Sequence, residues 1–106
     1  MSILLEKKKE KIINHEQYSQ FSLSPLEKNT GITLGNSIRR TIINNKNYSF
    51  IKKVNFMVHL SEKKYEILTI EIWVEKDKSI STDYIVKESI QKLRNELDSI
   101  KFDSLL

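Results

Sequence analysis

The backbone of this chain is punctuated in one place. Its only proline, Pro25, and its only two glycines, Gly31 and Gly35, fall within Phe21–Asn45, FSLSPLEKNTGITLGNSIRRTIINN. Whatever fixed geometry the chain needs is therefore concentrated there. Phe21 and Leu23 alternate with Ser22 and Ser24, which predicts a short strand stopped by the proline. Leu34, Ile38 and Ile42 recur at helical spacing, one apolar stripe of a helix from about Leu34 to Asn44. Thr33 is placed to cap that helix through its hydroxyl, and Asn29 and Gly31 are the loop positions best able to adopt a positive φ. Gly35, inside the first turn, costs roughly 1 kcal/mol relative to alanine. That cost points to the close approach of another helix or of a partner.

The rest of the chain supplies what such a helix needs to pack on. Residues 1–16 are expected to form an N-terminal arm around Lys7-Lys8-Lys9-Glu10-Lys11, either paired with the sheet edge or a partly ordered tail, and residues 17–106 the domain, whose first strand spans residues 17–24. Val54, Phe56, Val58 and Leu60 alternate with polar neighbours. Leu68, Ile70, Ile72 and Val74 lie on one face of a following strand, with Trp73 on the other, which predicts that the second face is partly covered. Two alternating runs joined by the polar turn Ser61–Lys64 read as an antiparallel hairpin. Ser79 or Ser81 can cap a last helix with Asp83 at its positive end. There Val86, Ile90, Leu93, Leu97 and Ile100 form a heptad seam, suited to the chain's own sheet or to a second chain. The expected fold is α+β: an antiparallel sheet with two helices packed on one face.

Composition narrows the function classes. No cysteine is present, so neither a disulfide framework nor a thiolate metal site can form. His15 has no second ligand at metal spacing, His59 falls on a solvent face, and no phosphate loop or dinucleotide fingerprint occurs. No catalytic, cofactor-binding or metal residues are therefore assigned. Apolar runs fall far short of the roughly 20 residues that span a bilayer, and no membrane role is expected. The net charge of +4 invites a nucleic-acid reading, but the excess is lysine, 15 against 3 arginines, and it is dispersed. Ile and Lys occur 15 times each while Ala is absent, the mark of AT-rich codons, as in a plastid or an AT-rich bacterium.

The punctuated block also resembles a family. Pro25-Leu26-Glu27 followed by Thr33-Leu34-Gly35-Asn36-Ser37-Ile38-Arg39-Arg40 is similar to the PLE…TLGNALRR block of bacterial and plastid RNA polymerase alpha subunits. The later run VNFMVHLSEKKYEILTIEIW resembles the strand pair that returns after the family's inserted domain. The order and spacing match from about Phe21 to Ile100. Only Lys46–Ile51 stands where the insert belongs, so the resemblance implies a reduced alpha-type dimerisation module without insert or C-terminal domain.

That resemblance carries functional expectations. The chain is expected to be a non-catalytic subunit of a DNA-directed RNA polymerase. It would pair with a second alpha-type chain, bind beta and beta-prime type subunits, and reach DNA only through the assembled complex. Glu27, Arg39 and Arg40 correspond to the large-subunit interface. Leu34, Gly35, Ile38, Ile42, Ile90, Leu93 and Leu97 correspond to dimer interface or core. The implied location is a plastid, with the cytoplasm of an AT-rich bacterium as the alternative. Two other functions stay open: an archaeal- or nuclear-type small polymerase subunit in a heterodimer, and a free basic nucleic-acid-binding protein.

Overall fold

The computed structural model describes residues 2–75 and 80–98, with side chains up to residue 96. The elements run β1 (Leu4–Ile13), β2 (Glu16–Leu26), α1 (Gly31–Ile43), β3 (Ile51–Leu60), β4 (Glu66–Glu75) and α2 (Thr82–Asp98). The four strands make one antiparallel sheet in the order β1-β2-β4-β3. Both helices lie side by side over one face, which is the α+β architecture expected.

The alternation of β4 explains the layering. Leu68, Ile70, Ile72 and Val74 are all buried, and they meet Phe21 and Leu23 of β2, Val54 of β3, Ile38 and Ile42 of α1, and Ile85 and Val86 of α2. Each such side chain contributes roughly 1.5–3 kcal/mol by leaving water. β2 is paired on both sides, a place where proline normally breaks a ladder. Pro25 is accommodated because the β2–β4 register shifts between Leu23 and Leu26.

Within the stretch read as an arm, Leu4–Ile13 runs as β1 along β2. The hairpin between them turns on Asn14 and His15, at φ 49° and 68°, the pair of left-handed residues that a tight two-residue turn requires. β1 is an edge strand, and such edges invite unwanted pairing unless interrupted or charged. Here a register shift falls between Lys7 and Lys9. Lys7 turns inward and sets its Nζ 2.7 Å from Asp83 of α2 and 2.7 Å from Glu10.

The face away from the helices is closed by its own side chains. Lys11, Tyr18, Trp73 and Lys53 are successive register partners across the sheet. The Tyr18 and Trp73 rings are 5.0 Å apart, with Lys53 Nζ 4.9 Å from the Trp73 centroid and Lys11 Nζ 5.6 Å from that of Tyr18. Lysine stems thus lie along the aromatic surface while their charges stay wet. Tyr18 donates to Glu71; burial, and then that carboxylate, push the phenol pKa up. The cover expected over Trp73 is this ladder.

Residues 44–50 bridge α1 and β3, so no domain is inserted there. Asn45 Oδ1 accepts from the Asn47 N–H at 2.9 Å, and the buried Tyr48 donates its hydroxyl to Glu88 of α2. Glu88 also accepts from Asn45 Nδ2 at 3.3 Å. These donors, the Tyr48 hydroxyl first, hold its carboxyl below the usual range. At the start of α2, Ser81 Oγ accepts the Tyr84 N–H at 3.2 Å, the cap predicted for one of two serines. Thr82 behind it is buried and shares a 2.8 Å hydroxyl–hydroxyl bond with Ser19 of β2. Along the heptad seam Val86 is buried, and Ile90 and Leu93 are half-buried against the core. The Leu97 side chain and Ile100 lie outside the described residues.

Candidate assembly site

The site grows from the end of β2. Leu26 is buried and anchors the chain, after which Glu27–Thr30 is exposed loop. Thr30 closes the loop on itself: its N–H and its hydroxyl both donate to the Glu27 carbonyl, at 3.2 and 2.6 Å. Asn29 takes the left-handed conformation, φ 71°, as expected; Gly31 does not. The glycine is required for space instead. A Cβ there would stand 2.9 Å from Glu66 Oε1 and 2.9 Å from a Val58 methyl.

The expected Thr33 cap is not what starts α1. The helix begins earlier, at Gly31, with Thr30 at the N-cap position and no side-chain bond from it. The first helical N–H is met from across the fold: Glu66 Oε1 accepts from Gly31 at 2.8 Å, while Oε2 accepts from Asn29 of the loop at 3.0 Å. A carboxylate at a helix start is favoured both by the orphan donors and by the dipole. The same bonds, Asn29 first and then Gly31, hold the Glu66 carboxyl below its ordinary range. No local pattern could reveal this partner, because it lies 35 residues from Gly31.

One face of α1, made by Gly31, Gly35, Ile38 and Ile42, is buried. Gly35 does admit a close neighbour, but that neighbour is a strand and belongs to this chain. A Cβ on Gly35 would lie 2.7 Å from Phe56 Cε2 and 2.8 Å from Cγ. The reading of helix-on-helix or partner contact at Gly35 is corrected accordingly: the aromatic ring of β3 fills the notch.

The polar face of α1 separates its two arginines. Arg39 donates from Nε to the Val54 carbonyl of edge strand β3 at 3.0 Å. Arg40 is exposed and, among the described residues, has no polar partner; the Glu27 carboxylate is exposed in the same way. Glu27 thus stands in the loop before α1 and Arg40 in the helix's last turn.

On the other flank of α1 an apolar groove of about 920 Å³ opens between the Pro25–Thr30 loop, α1 and α2. Leu34 and Leu93, both half-buried, line it, with Ile3 and Glu96 at its margins. Of the residues assigned to dimer interface or core, Gly35, Ile38 and Ile42 therefore sit within this chain's own packing. Leu34 and Leu93 face the groove, and Ile90 packs half-buried on the core. Among the described residues, no three His, Cys, Asp or Glu side chains converge as metal ligands.

The result is a two-layer domain with a charged loop-and-helix unit beside an open apolar groove. The comparisons give that domain its lineage. Residues 24–97, more than half of the chain, match the RNA polymerase Rpb3/Rpb11 dimerisation domain, and the chain belongs to that family. Over a short segment the chain is similar to curated alpha subunits. It is 63% identical over 30 residues to the DNA-directed RNA polymerase subunit alpha of the red alga Gracilaria tenuistipitata var. liui, 28% of this chain and 10% of that protein. It is 50% identical over 32 residues to the alpha subunit of Synechocystis, 30% of this chain and 10% of the relative. With the alpha subunit of Mycoplasma capricolum it shares 61% over 28 residues, 26% and 9% of the two chains. The chain thus matches about a tenth of the length of these relatives.

Proposed function

We propose that this chain is an assembly subunit of a multisubunit DNA-directed RNA polymerase, pairing with a second alpha-type chain and docking onto beta and beta-prime type subunits that carry out transcription. The observation that carries the reading is the folded block Pro25–Arg40. It is seated on its own sheet through Gly31 and Gly35, and it leaves the Glu27 carboxylate and the Arg40 guanidinium exposed without partners among the described residues. An arginine on a rigid helix is suited to an interface ion pair, because its planar fork meets a carboxylate in two parallel bonds. The Leu34–Leu93 groove supplies what the core of an interface needs, apolar surface inside a polar rim. DNA is reached through the assembled complex.

The lysines favour this over free nucleic-acid binding. Lys7, Lys8 and Lys52 are ion-paired within the chain, and Lys11 and Lys53 lie over rings. The AT-rich composition and the red algal and cyanobacterial relatives support a plastid location, with bacterial cytoplasm as the alternative that the Mycoplasma relative represents. One structural feature favours a second reading. The short α1–β3 link resembles the insertless small subunit of archaeal and nuclear enzymes, which would make the partner a larger, insert-bearing chain.

Affinity purification of the tagged chain from its source tests the proposal. Beta-type and beta-prime type subunits should co-purify at stoichiometric levels, and Arg40→Ala should deplete them. Recovery of the chain without either large subunit would reject the reading.

A further inference from the structure

Glu66 opens β4, and among the described residues it is the one side chain that hydrogen-bonds the Asn29–Gly31 backbone, where the loop enters α1, to the sheet. Its two oxygens take two different N–H groups, that of left-handed Asn29 at 3.0 Å and that of Gly31 at 2.8 Å. Gly31 is held so close that a Cβ would strike the carboxylate itself. The other bonds of the loop are internal, from Thr30 to the Glu27 carbonyl and from the Leu34 N–H to the Thr30 carbonyl. Those bonds keep the turn's shape; Leu26, buried and paired across β2 and β4, holds its start, and among the described residues Glu66 is the side chain that bonds its far end to the sheet. α1 has its own anchors further along, Ile38 and Ile42, both essentially inaccessible to solvent. The body of α1 is thus held by its apolar side chains, and its first residue and the preceding loop by Glu66.

We propose that Glu66 is a positioning residue for large-subunit docking: by pinning Asn29 and Gly31 it fixes the direction in which Glu27 and the first turn of α1 are offered to the partner. This rests on the assembly reading above. Its role is preorganisation. A loop already held in its bound conformation loses little freedom on association, whereas a released one must be ordered at the partner's surface, which weakens binding by roughly tenfold for a few immobilised groups. The main-chain donors, Asn29 first, lower the carboxyl's pKa and so favour its ionised form, and Lys28 nearby acts the same way. Glu66 itself need not touch the large subunit.

The test measures binding of the full chain to an isolated beta-type subunit, for the wild type, Glu66→Gln and Glu66→Ala, beside amide hydrogen exchange of each. Glu66→Gln keeps size and one acceptor oxygen, and serves where Glu66→Ala fails to fold. The expected result is an unchanged cooperative fold, binding weakened roughly tenfold, and faster exchange confined to Asn29 and Gly31 while Ile38 stays protected. Wild-type affinity in both variants would overturn the positioning role and leave the assembly reading standing. Loss of protection at Ile38 in Glu66→Gln would overturn it too, by making Glu66 a fold residue. Failure of the wild-type chain to bind any beta-type subunit would reject the assembly reading, and the inference with it.

Discussion

Gly35→Ala is the substitution on which the geometry makes its sharpest demand. In an exposed helix interior this change stabilises by about 1 kcal/mol, since alanine loses less backbone freedom. Here the new methyl would meet Phe56 at 2.7 Å from Cε2 and 2.8 Å from Cγ, well inside the roughly 3.5–4 Å at which carbon atoms rest. Cγ is bonded to the strand-anchored Cβ, so the ring must rotate or α1 must lift from β3. Forcing a methylene-sized group into a packed site costs typically 1–3 kcal/mol. Taking the upper end for so close an approach, the net change is about 2 kcal/mol destabilising. That lowers the melting temperature by about 8–16 °C in a domain of this size. Urea unfolding should show a lower midpoint at unchanged slope. Phe56→Leu in the Gly35→Ala background should recover part of the loss, so that the two changes are less than additive. A Gly35→Ala protein about 1 kcal/mol more stable than the wild type would refute the reasoning, because propensity alone would then be acting.

Other outcomes follow from single contacts. Ser19→Ala should cost about 1–3 kcal/mol, measured by urea unfolding, because it leaves the buried Thr82 hydroxyl without its 2.8 Å partner; adding Thr82→Val should cost less than the sum. Arg39→Ala should lower stability by about 1 kcal/mol through loss of the Val54 carbonyl bond. Arg40→Ala should change stability by less than about 0.5 kcal/mol while weakening recovery of large subunits in co-purification. Acid unfolding should depend on Glu66 and Glu88, whose folded-state pKa values are lowered by donors to their carboxylates. A depressed value means that the stability each contributes is present above about pH 4.5, the ordinary carboxylate value, and is lost as pH falls below it. Glu66→Gln should therefore flatten the acid limb of a stability-versus-pH curve and leave the neutral region shallow.

Period and punctuation made most of this fold legible. The alternation in Leu68–Val74 named the buried face of β4, and Ile38 and Ile42 named the buried side of α1. The arm is legible only as either a partner of the sheet edge or a partly ordered tail; the structure takes the first, and the choice is hidden because Leu4-Leu5 and Ile12-Ile13 do not alternate and the shift at Lys7–Lys9 changes which face each residue takes. Its turn, Asn14-His15, lacks the glycine that usually signals a hairpin. The start of α1 was hidden for a different reason. Thr33 has the chemistry of a cap, but the helix starts two residues earlier, where the Gly31 N–H meets Glu66, and nothing local reports a carboxylate that arrives with another strand. Gly35 was correctly singled out as a point of close approach, yet whether a helix or a strand approaches is a property of tertiary packing. Arg39 and Arg40 are alike in sequence and differ in the fold, since only Arg39 lies within reach of the β3 edge. Glu27 and Arg40 came from the resemblance rather than from any pattern of spacing.

Native mass spectrometry of the complex purified through the tagged chain tests the central claim most directly. The account predicts one assembly containing beta-type and beta-prime type subunits with two alpha-type chains, either two copies of this chain or one copy with a larger partner. A monomer carrying neither a second alpha-type chain nor a large subunit would contradict it.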